Sequence, residues 1–305
     1  MGNKKLLFVF NPKSGKGLIK NHLLTIVDTF VKQGYEVTIH PTQHAGDAKE
    51  MMAVSGSYDL VVCSGGDGTI DETVTGIMRY NTGTPIGYIP AGSTNDFAAS
   101  LGIPKNMPRA AEIAVSGVQL ACDVGEFNKD YFIYIAAFGI FTDVSYQTNQ
   151  NLKNVLGHVA YVLEGAKRIV DVPAYHLKVE LNGETIEDDF IYGMVTNSIS
   201  VGGMKNLTGE DVYLDDGLFE VTLIRYPGNP IQVNEIVSSL LLPKLVSSDY
   251  IINLKTDQVT FSCYSDVPWT LDGEFGGNHK KVEIINHPCA VNYMVPKDFS
   301  RFLED

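Results

Sequence analysis

One segment carries the strongest fold signal in the chain: Leu60-Val61-Val62-Cys63-Ser64-Gly65-Gly66-Asp67-Gly68-Thr69-Ile70-Asp71-Glu72. A short apolar run, typical of a buried β-strand, ends in three glycines around one aspartate, and a helical pattern starts at Thr69. Glycines let main-chain N–H groups approach a ligand closely, and the positive end of the following helix suits a phosphate. Asp67 would repel that phosphate unless a divalent cation lay between them, and Mg²⁺ is typically held by one or two carboxylates plus substrate phosphates. The segment therefore predicts a nucleotide-dependent phosphotransferase.

Two further glycine-rich loops follow apolar strands in residues 1–123. Residues 11–17 follow a predicted strand at 5–10, and residues 90–96 follow a predicted strand at 85–89. The other elements predicted here are a strand at 36–40 and helices at 19–30, 70–78 and 108–115. Strands that alternate with helices form a parallel sheet covered on both faces, and its ligands bind beyond the carboxyl ends of the strands. We therefore expect a doubly wound α/β domain in which the three loops share one crevice.

After residue 123 the chain becomes rich in strand patterns with aromatic and β-branched residues. The predicted strands are residues 131–138, 175–181, 190–196, 217–224, 258–263, 269–272 and 281–285. Asn182-Gly183 is a strong hairpin signal, whereas helical patterns at residues 152–170 and 233–242 interrupt the strands. We therefore predict a nucleotide-binding α/β domain at residues 1–123, followed by an all-β, sandwich-like domain at residues 124–293. The tail, residues 294–305, is short enough to dock on either domain and to complete the first.

The composition excludes several classes of protein. With 305 residues, 44% hydrophobic and 19% charged, the chain is typical of a soluble globular protein, and no segment approaches the roughly 20 apolar residues of a membrane span. The net charge is −13, of which residues 124–305 contribute −12 and residues 1–123 contribute −1. This acidity argues against a nucleic-acid partner and against membrane binding by bulk charge. The four cysteines are widely separated, which favours free thiols in a cytoplasmic protein.

Four motifs in the chain resemble those of lipid kinases. Gly65-Gly66-Asp67-Gly68-Thr69 resembles the nucleotide-binding signature shared by diacylglycerol and sphingosine kinases, with relatives in NAD kinases and phosphofructokinases. The motifs that resemble the lipid-kinase branch are Asn11-Pro12-Lys13-Ser14-Gly15, Pro90-Ala91-Gly92-Ser93-Thr94-Asn95-Asp96-Phe97 and Trp269-Thr270-Leu271-Asp272-Gly273-Glu274. As an ordered set they are similar to the soluble bacterial diacylglycerol kinases. The resemblance implies that diacylglycerol is phosphorylated to phosphatidate with ATP and Mg²⁺, during transient contact with a membrane surface. A homodimer is implied by family analogy alone.

The resemblance also implies which residues bind the nucleotide and the metal. The implied ATP contacts are Asn11, Pro12, Lys13, Ser14, Gly15, Thr42, Gly66, Asp67, Gly68, Thr69, Ile70, Asp71, Glu72 and Ser93. Asp67 and Asp96, supported by Asp123, are implied to hold the catalytic Mg²⁺ largely through water, which fits the few protein ligands that this ion needs. From the residues alone, Thr42 is equally a local hydrogen-bonding residue, Asp96 a helix cap and Asp123 a strand-end residue.

Glu274 is implied to be the general base. A primary hydroxyl is a poor nucleophile, and a carboxylate within hydrogen-bond reach takes its proton as the phosphoryl group is transferred. The alternative is that Glu274 lies in a surface turn after a strand. Residues 211–218 resemble a structural Mg²⁺ site of the family, in which Asp216 supplies its side chain, and Tyr213 and Leu218 their carbonyl oxygens. From composition alone, an Asp-Gly turn into a strand is the favoured interpretation of that segment.

Two positions depart from the family pattern. Asp71 stands where asparagine is usual, and Ala99 where arginine is frequent, so we expect altered affinity rather than loss of activity. Other acceptors stay open, namely phosphatidylglycerol, a sphingoid base, an undecaprenol-like alcohol or, less favoured, NAD. A non-catalytic nucleotide- or lipid-binding regulator is the alternative from another class. It predicts loss of the metal and base positions, whereas Asp67, Asp96 and Glu274 are all present.

Overall fold

The computed structural model describes residues 4–92, 95–140, 173–198, 200–201, 204–205, 212–241 and 247–299. The chain divides into two compact units. The first consists of Met1–Val124, Leu214–Asp216 and His287–Asp305, and the second of Gly125–Tyr213 and Gly217–Asn286. The helix predicted at residues 152–170 lies outside the described residues. No helix in the described part of the chain is long and apolar enough to cross a membrane.

The strands and helices follow one another in the order expected for an α/β region and then a β-rich region. The strands are β1 (Lys4–Phe10), β2 (Tyr35–Pro41), β3 (Leu60–Gly65), β4 (Ile86–Pro90), β5 (Val118–Phe127), β6 (Asp130–Phe132), β7 (Ile135–Gly139), β8 (Tyr175–Leu181), β9 (Glu184–Thr196), β10 (Ser200–Val201), β11 (Met204–Lys205), β12 (Phe219–Arg225), β13 (Ile251–Thr256), β14 (Gln258–Leu271) and β15 (Glu274–Val295). The helices are α1 (Ile19–Lys32), α2 (Asp47–Met51), α3 (Asp67–Tyr80), α4 (Asp96–Ser100), α5 (Met107–Ser116) and α6 (Pro230–Leu241), with a 3₁₀ helix at Met52–Ser57.

The first unit is built on a parallel sheet in the order β4-β3-β1-β2. The end of β15 continues this sheet beyond β4, where Tyr293 lies opposite Ile86 in a parallel pair. Helix α1 packs against α5, and α2 packs against α3. The predicted doubly wound α/β architecture is confirmed.

Apolar periodicity accounts for the packing of this unit. In α1 the buried residues are Ile19, Ile26 and Phe30, which recur at helical spacing on one face. Strand β3 is buried along its whole length, as is typical of a central strand covered by helices. Phe30 meets Phe8 of β1 edge to face, with 5.4 Å between ring centroids. Full burial of such a side chain stabilises the fold by about 1.5–3 kcal/mol.

The second unit is a largely antiparallel β structure, and the predicted β-sandwich-like domain is confirmed. Its strands pair in the order β13-β12-β9-β7-β14, and β8 pairs with both β14 and β9. The predicted hairpin at Asn182-Gly183 joins β8 to β9, with Leu181 opposite Glu184. Aromatic side chains dominate the core around Trp269, whose ring centroid lies 4.8 Å from that of Phe138.

Several element boundaries differ from those predicted. Helix α3 begins at Asp67 rather than at Thr69, because the glycine that precedes Asp67 forms its extended N-cap. The two strands predicted at 258–263 and 269–272 are one strand, β14, interrupted by a register shift between Ser262 and Val267. Strands β5 and β13 were not predicted; β13, with the pattern Ile-Ile-Asn-Leu-Lys-Thr, is only half buried and lacks a strong apolar alternation.

Candidate active site

The three glycine-rich loops meet in the first unit. Gly66 and Gly92 are in van der Waals proximity, since a Cβ added to Gly92 would lie 2.7 Å from the Gly66 Cα. A Cβ added to Gly66 would lie 3.4 Å from the Ser14 Oγ, and one added to Gly15 would overlap the Ala91 carbonyl oxygen. Side chains at Gly15 and Gly92 would force the loops apart, whereas a Cβ at Gly66 would only touch its neighbours. The shared crevice expected from the sequence therefore has a steric basis in glycine.

Main-chain hydrogen bonds hold two of these loops to the third. Asn11 N donates to Ser64 O at 2.8 Å, and Ala91 N donates to Gly65 O at 2.7 Å. Both acceptors lie at the carboxyl end of β3, so this strand positions the loops that follow β1 and β4. Within the described residues, the N–H groups of Gly15, Lys16 and Gly68 donate to no other residue. They are candidate donors to a bound phosphate.

Asp67 is the first residue of α3 and bridges two loops. Its Oδ2 accepts a hydrogen bond from Asn95 N at 3.1 Å, and its charge lies at the positive end of the helix, where a carboxylate is favourable. Asp67 therefore has a structural role in addition to the metal-binding role that the resemblance implies. Asn95 in turn closes its own loop, because its Oδ1 accepts from Gly92 N and its Nδ2 donates to Gly92 O, both at 2.8 Å.

Two titratable groups beside the loops are held protonated. Burial raises the pKa of Cys63 to about 12, and burial followed by the charge of Asp67 raises the pKa of Tyr88 well above its usual value. The Tyr88 hydroxyl donates to Gly65 O at 3.2 Å. Both groups are therefore unsuited to act as a base or nucleophile near neutral pH.

The loop that carries Thr42 is fixed by two carboxylates. Thr42 N donates to Phe10 O at 2.9 Å, and the Glu72 Oε1 accepts from Gly46 N at 2.7 Å. The Asp47 carboxylate accepts from Gln43 N at 2.6 Å and lies 3.0 Å from the His40 Nε2. Glu72 thus ties α3 to the Thr42 loop, which is a contact that the resemblance did not imply.

The remaining predicted metal residues lie in different surroundings. Asp96 begins α4, while the positions of its side chain and of Ser93 lie outside the description. Asp123 is 2% exposed inside β5, rather than at a strand end, and its Oδ1 accepts from Cys289 N at 2.7 Å. One oxygen of Asp67 and one of Asp123 are thus engaged with main-chain N–H groups. Carboxylate oxygens are nevertheless the donors that Mg²⁺ prefers, and it needs few of them.

The segment that resembles a structural Mg²⁺ site is described from residue 212 onward. Asp216 is exposed, Leu218 is half-buried, and Gly217 between them has a φ of +75°. Tyr213 is half-buried, with the Lys255 Nζ 5.7 Å from its ring centroid. Across the described ranges, no group of three or more His, Cys, Asp or Glu side chains is arranged to hold a metal. The site implied at residues 213–218, with two carbonyl oxygens and one carboxylate, contains no such group.

Glu274 lies in the second unit, at the start of β15, and its side chain is exposed. It follows the two-residue turn Asp272-Gly273, so the surface-turn interpretation describes its local structure correctly. Asp272 is 5% exposed, in contrast to its neighbours. Its carboxylate binds main-chain N–H groups of a neighbouring segment.

Sequence reasoning missed Asn95 and Asp272 as residues that shape these regions. Asn95 has a φ of +56°, which asparagine adopts more readily than most residues. Its position between Gly92 and α4 was the available signal. For Asp272 the signal was the Asp-Gly pair between two strand patterns, which predicts a tight hairpin.

Comparison with known proteins identifies the family. Residues 5–127 match the diacylglycerol kinase catalytic domain, and residues 135–294 match the YegS C-terminal NAD kinase beta sandwich-like domain. The chain is 32% identical over 305 residues to a diacylglycerol kinase of Bacillus subtilis (strain 168), covering 99% of this chain and 100% of that protein. The chain belongs to the diacylglycerol kinase family.

A second relative and a solved structure agree with this family assignment. A diacylglycerol kinase of Staphylococcus carnosus (strain TM300) is 30% identical over 297 residues, covering 97% of this chain and 96% of that protein. A crystal structure from Bacillus anthracis str. Sterne superposes with a TM-score of 0.81 at 23% identity, covering 97% of this chain and 96% of that chain. At that identity the superposition supports the fold alone. The protein is thus a lipid kinase of the diacylglycerol kinase family.

Proposed function

We propose that the protein transfers the γ-phosphoryl group of ATP to the free hydroxyl of diacylglycerol, giving ADP and phosphatidate. The observation that supports this most strongly is the meeting of the three glycine loops at the positive end of α3. Such an arrangement suits a polyphosphate, because main-chain N–H groups and the helix dipole both favour negative charge. The names of the relatives supply the class of acceptor.

The residues of the first unit bind and orient the nucleotide in this proposal. Residues 11–15 and 66–72 and Ser93 contact the phosphates, and Thr42 contacts the nucleotide from its own loop. Asp67 and Asp96 would hold Mg²⁺, with Asp123 in support. When bound, Mg²⁺ neutralises the negative charge of the phosphates during transfer.

Glu274 is the proposed general base. Its carboxylate takes the proton of the acceptor hydroxyl as that oxygen bonds to the γ-phosphorus and the bond from this phosphorus to the bridging oxygen of ADP breaks. Its carboxylate is exposed and therefore accessible to an alcohol. A second Mg²⁺ is proposed to bind the Asp216 carboxylate with the carbonyl oxygens of Tyr213 and Leu218, in a structural role.

The acceptor lies in a bilayer, so we propose a cytoplasmic protein that contacts the membrane transiently. The overall charge of −13 disfavours attraction to anionic lipid over the whole surface. Membrane contact would then depend on binding of the lipid acceptor and on local features of the protein surface. Dimerisation in solution stays a proposal by family analogy.

The test is a turnover assay with ATP and a panel of acceptors in mixed micelles, with and without Mg²⁺. The panel contains diacylglycerol, phosphatidylglycerol, a sphingoid base, undecaprenol and NAD. We expect Mg²⁺-dependent ADP release with diacylglycerol, and a loss of about 10²-fold or more in kcat for Asp67→Ala. Turnover with another acceptor alone would replace the proposed substrate. No turnover with any acceptor, or full activity of Asp67→Ala, would contradict the enzyme assignment.

A further inference from the structure

Asp272 and Gly273 form the two-residue turn between β14 and β15, in which Leu271 pairs with Glu274. Their φ angles are +50° and +84°. Positive φ at both central residues is the requirement of a type I′ turn, and asparagine or aspartate followed by glycine meets it. Turn chemistry therefore explains the backbone of this hairpin. It does not explain why the Asp272 side chain is buried.

The Asp272 carboxylate is bound by three consecutive main-chain N–H groups of residues 133–135. Its Oδ2 accepts from Ile133 N at 2.7 Å, and its Oδ1 accepts from Tyr134 N and Ile135 N, each at 3.0 Å. The Asp272 main chain adds two bonds to the same segment. Its N donates to Ile135 O at 2.8 Å, and its O accepts from the Tyr134 hydroxyl at 3.2 Å. One residue thus fastens the hairpin to the start of β7.

Glu274 has no comparable anchor of its own. Its side chain is exposed, and the described part of the chain offers its carboxylate no hydrogen bond or ion pair. The position of this carboxylate is therefore set by the backbone of the hairpin. That backbone is held, two residues earlier, by Asp272.

We infer that Asp272 is a positioning residue for the general base Glu274. A base must lie within hydrogen-bond reach of the proton it takes, and a displacement of about 1 Å can cost about 10²-fold in rate. By fixing the turn against residues 133–135, Asp272 limits the displacement of Glu274. The inference rests on the proposed function, because it assumes that Glu274 is the base.

Asp272→Asn is the most specific test of this anchor, because it replaces one carboxylate oxygen, an acceptor, with an amide nitrogen of nearly the same size. The amide nitrogen of asparagine is a donor, so at least one of the three N–H groups would face another donor instead of an oxygen. The turn itself tolerates asparagine, as the Asn182-Gly183 hairpin of the same unit shows. The substitution therefore loosens the anchor without removing the turn.

The same hairpin supplies a matched control. The Asn182 Nδ2 donates to Lys255 O at 2.8 Å, and its Oδ1 accepts from the Thr256 hydroxyl at 3.0 Å. Asn182→Asp is the mirror substitution, since it sets a carboxylate oxygen against a carbonyl oxygen in a type I′ turn of the same unit. It perturbs a hairpin of the same kind that carries no proposed catalytic residue.

The experiment measures kcat and KM of the full chain with ATP·Mg²⁺ and diacylglycerol in mixed micelles. For Asp272→Asn we expect kcat to fall by about 10²-fold, with the KM for ATP changed by less than about two-fold. For Asn182→Asp we expect kcat within about two-fold of the parent protein. Equal losses of kcat in the two variants, or a loss of ATP binding in Asp272→Asn, would show a general effect on folding and overturn the inference.

A double-mutant cycle separates this inference from the proposed function. If Asp272 acts through Glu274, then Asp272→Asn combined with Glu274→Gln is no slower than Glu274→Gln alone. Additive losses would overturn the positioning role while leaving Glu274 as the base. Full activity of Glu274→Gln would instead remove the base assignment, and the inference with it.

Amide hydrogen exchange gives a readout that is independent of turnover. The amides of residues 133–135 donate to the Asp272 carboxylate, so their exchange should accelerate in Asp272→Asn and stay unchanged in Asn182→Asp. Unchanged exchange at residues 133–135 in Asp272→Asn would show that the anchor does not hold this segment. That result would also overturn the inference.

Discussion

The glycine loops of the first unit and the Asp272 hairpin of the second unit are held in different ways. The loops depend on close main-chain approach at Gly15, Gly66 and Gly92 and on bonds between several backbone groups. The hairpin adds to the pairing of β14 with β7 one buried carboxylate, which accepts three hydrogen bonds. The fold of the loops should therefore tolerate the loss of the Asn95 side chain but not the addition of a Cβ at Gly15. The hairpin, by contrast, should be weakened by the loss of that one carboxylate.

The largest effect is expected from Gly15→Ala. The φ of Gly15 is +56°, and its new Cβ would overlap the Ala91 carbonyl oxygen. The strained backbone and the overlap together should lower the free energy of unfolding by about 2–4 kcal/mol, and nucleotide-dependent turnover should fall with it. Denaturant unfolding at 25 °C and the KM for ATP measure the two effects.

Gly34→Ala is the control for this substitution. Gly34 has a φ of +87°, but nothing lies within 4 Å of an added Cβ. It should cost only the backbone strain, about 1–2 kcal/mol, and leave the KM for ATP unchanged. Equal stability losses for the two variants would show that close approach of the loops adds nothing to the cost of backbone strain. That result would contradict the contrast between the loops and the hairpin.

A smaller effect is expected from Asn95→Gly. Glycine adopts the positive φ of this position, so the substitution removes only the two side-chain bonds to Gly92. Because the loops share their contacts among several groups, we expect a stability loss of about 1 kcal/mol and less than a ten-fold loss in kcat/KM. A loss as large as that of Asp272→Asn would show that the loops also depend on one side chain. Unfolding curves and steady-state kinetics provide the comparison.

The smallest effect concerns pH and the loop that carries Thr42. Burial tends to raise the pKa of Asp47, but hydrogen bonds from Gln43 N and His40 outweigh it, so that the pKa is lowered. A carboxyl whose pKa is lower in the folded state stabilises the fold above its unfolded pKa, near 3.8, and loses this contribution as pH falls through the folded value. Asp47→Asn should therefore lower the melting temperature at pH 7 and reduce its decline between pH 5 and pH 2, within the usual range of acid denaturation. An unchanged slope in thermal scans across that range would contradict the assignment.

The sequence contained enough information to predict the architecture. Glycine-rich loops after buried strands, such as residues 65–68, follow from strong local signals, and Asn182-Gly183 specified its hairpin by turn chemistry alone. Strand β13 escaped prediction because it is half buried and has little apolar alternation. The start of α3 was misplaced by two residues, since a helix boundary depends on the backbone angles of Gly66 more than on periodicity.

The candidate site was predictable only in part. The resemblance to lipid kinases implied roles for Asp67, Asp123 and Glu274, but not what surrounds those carboxylates. That Asp123 binds Cys289 N depends on a pairing across 166 positions of the chain. That Asp272 binds residues 133–135 depends on contacts across 137 to 139 positions. The tertiary fold determines such contacts, so local sequence patterns do not predict them.

The pairing of β15 with β4 has a consequence for protein synthesis. Tyr293 lies opposite Ile86, and the first unit also takes in residues 214–216 and 287–305, so this unit is discontinuous in the chain. Chains emerge from the ribosome at about 5–20 residues per second. The end of β15 therefore emerges tens of seconds after β4. During that time the edge of β4 that pairs with β15 has no partner strand. A fragment that stops near residue 124 would keep that flank unpaired permanently, which makes it a poor choice for expressing the nucleotide-binding unit alone.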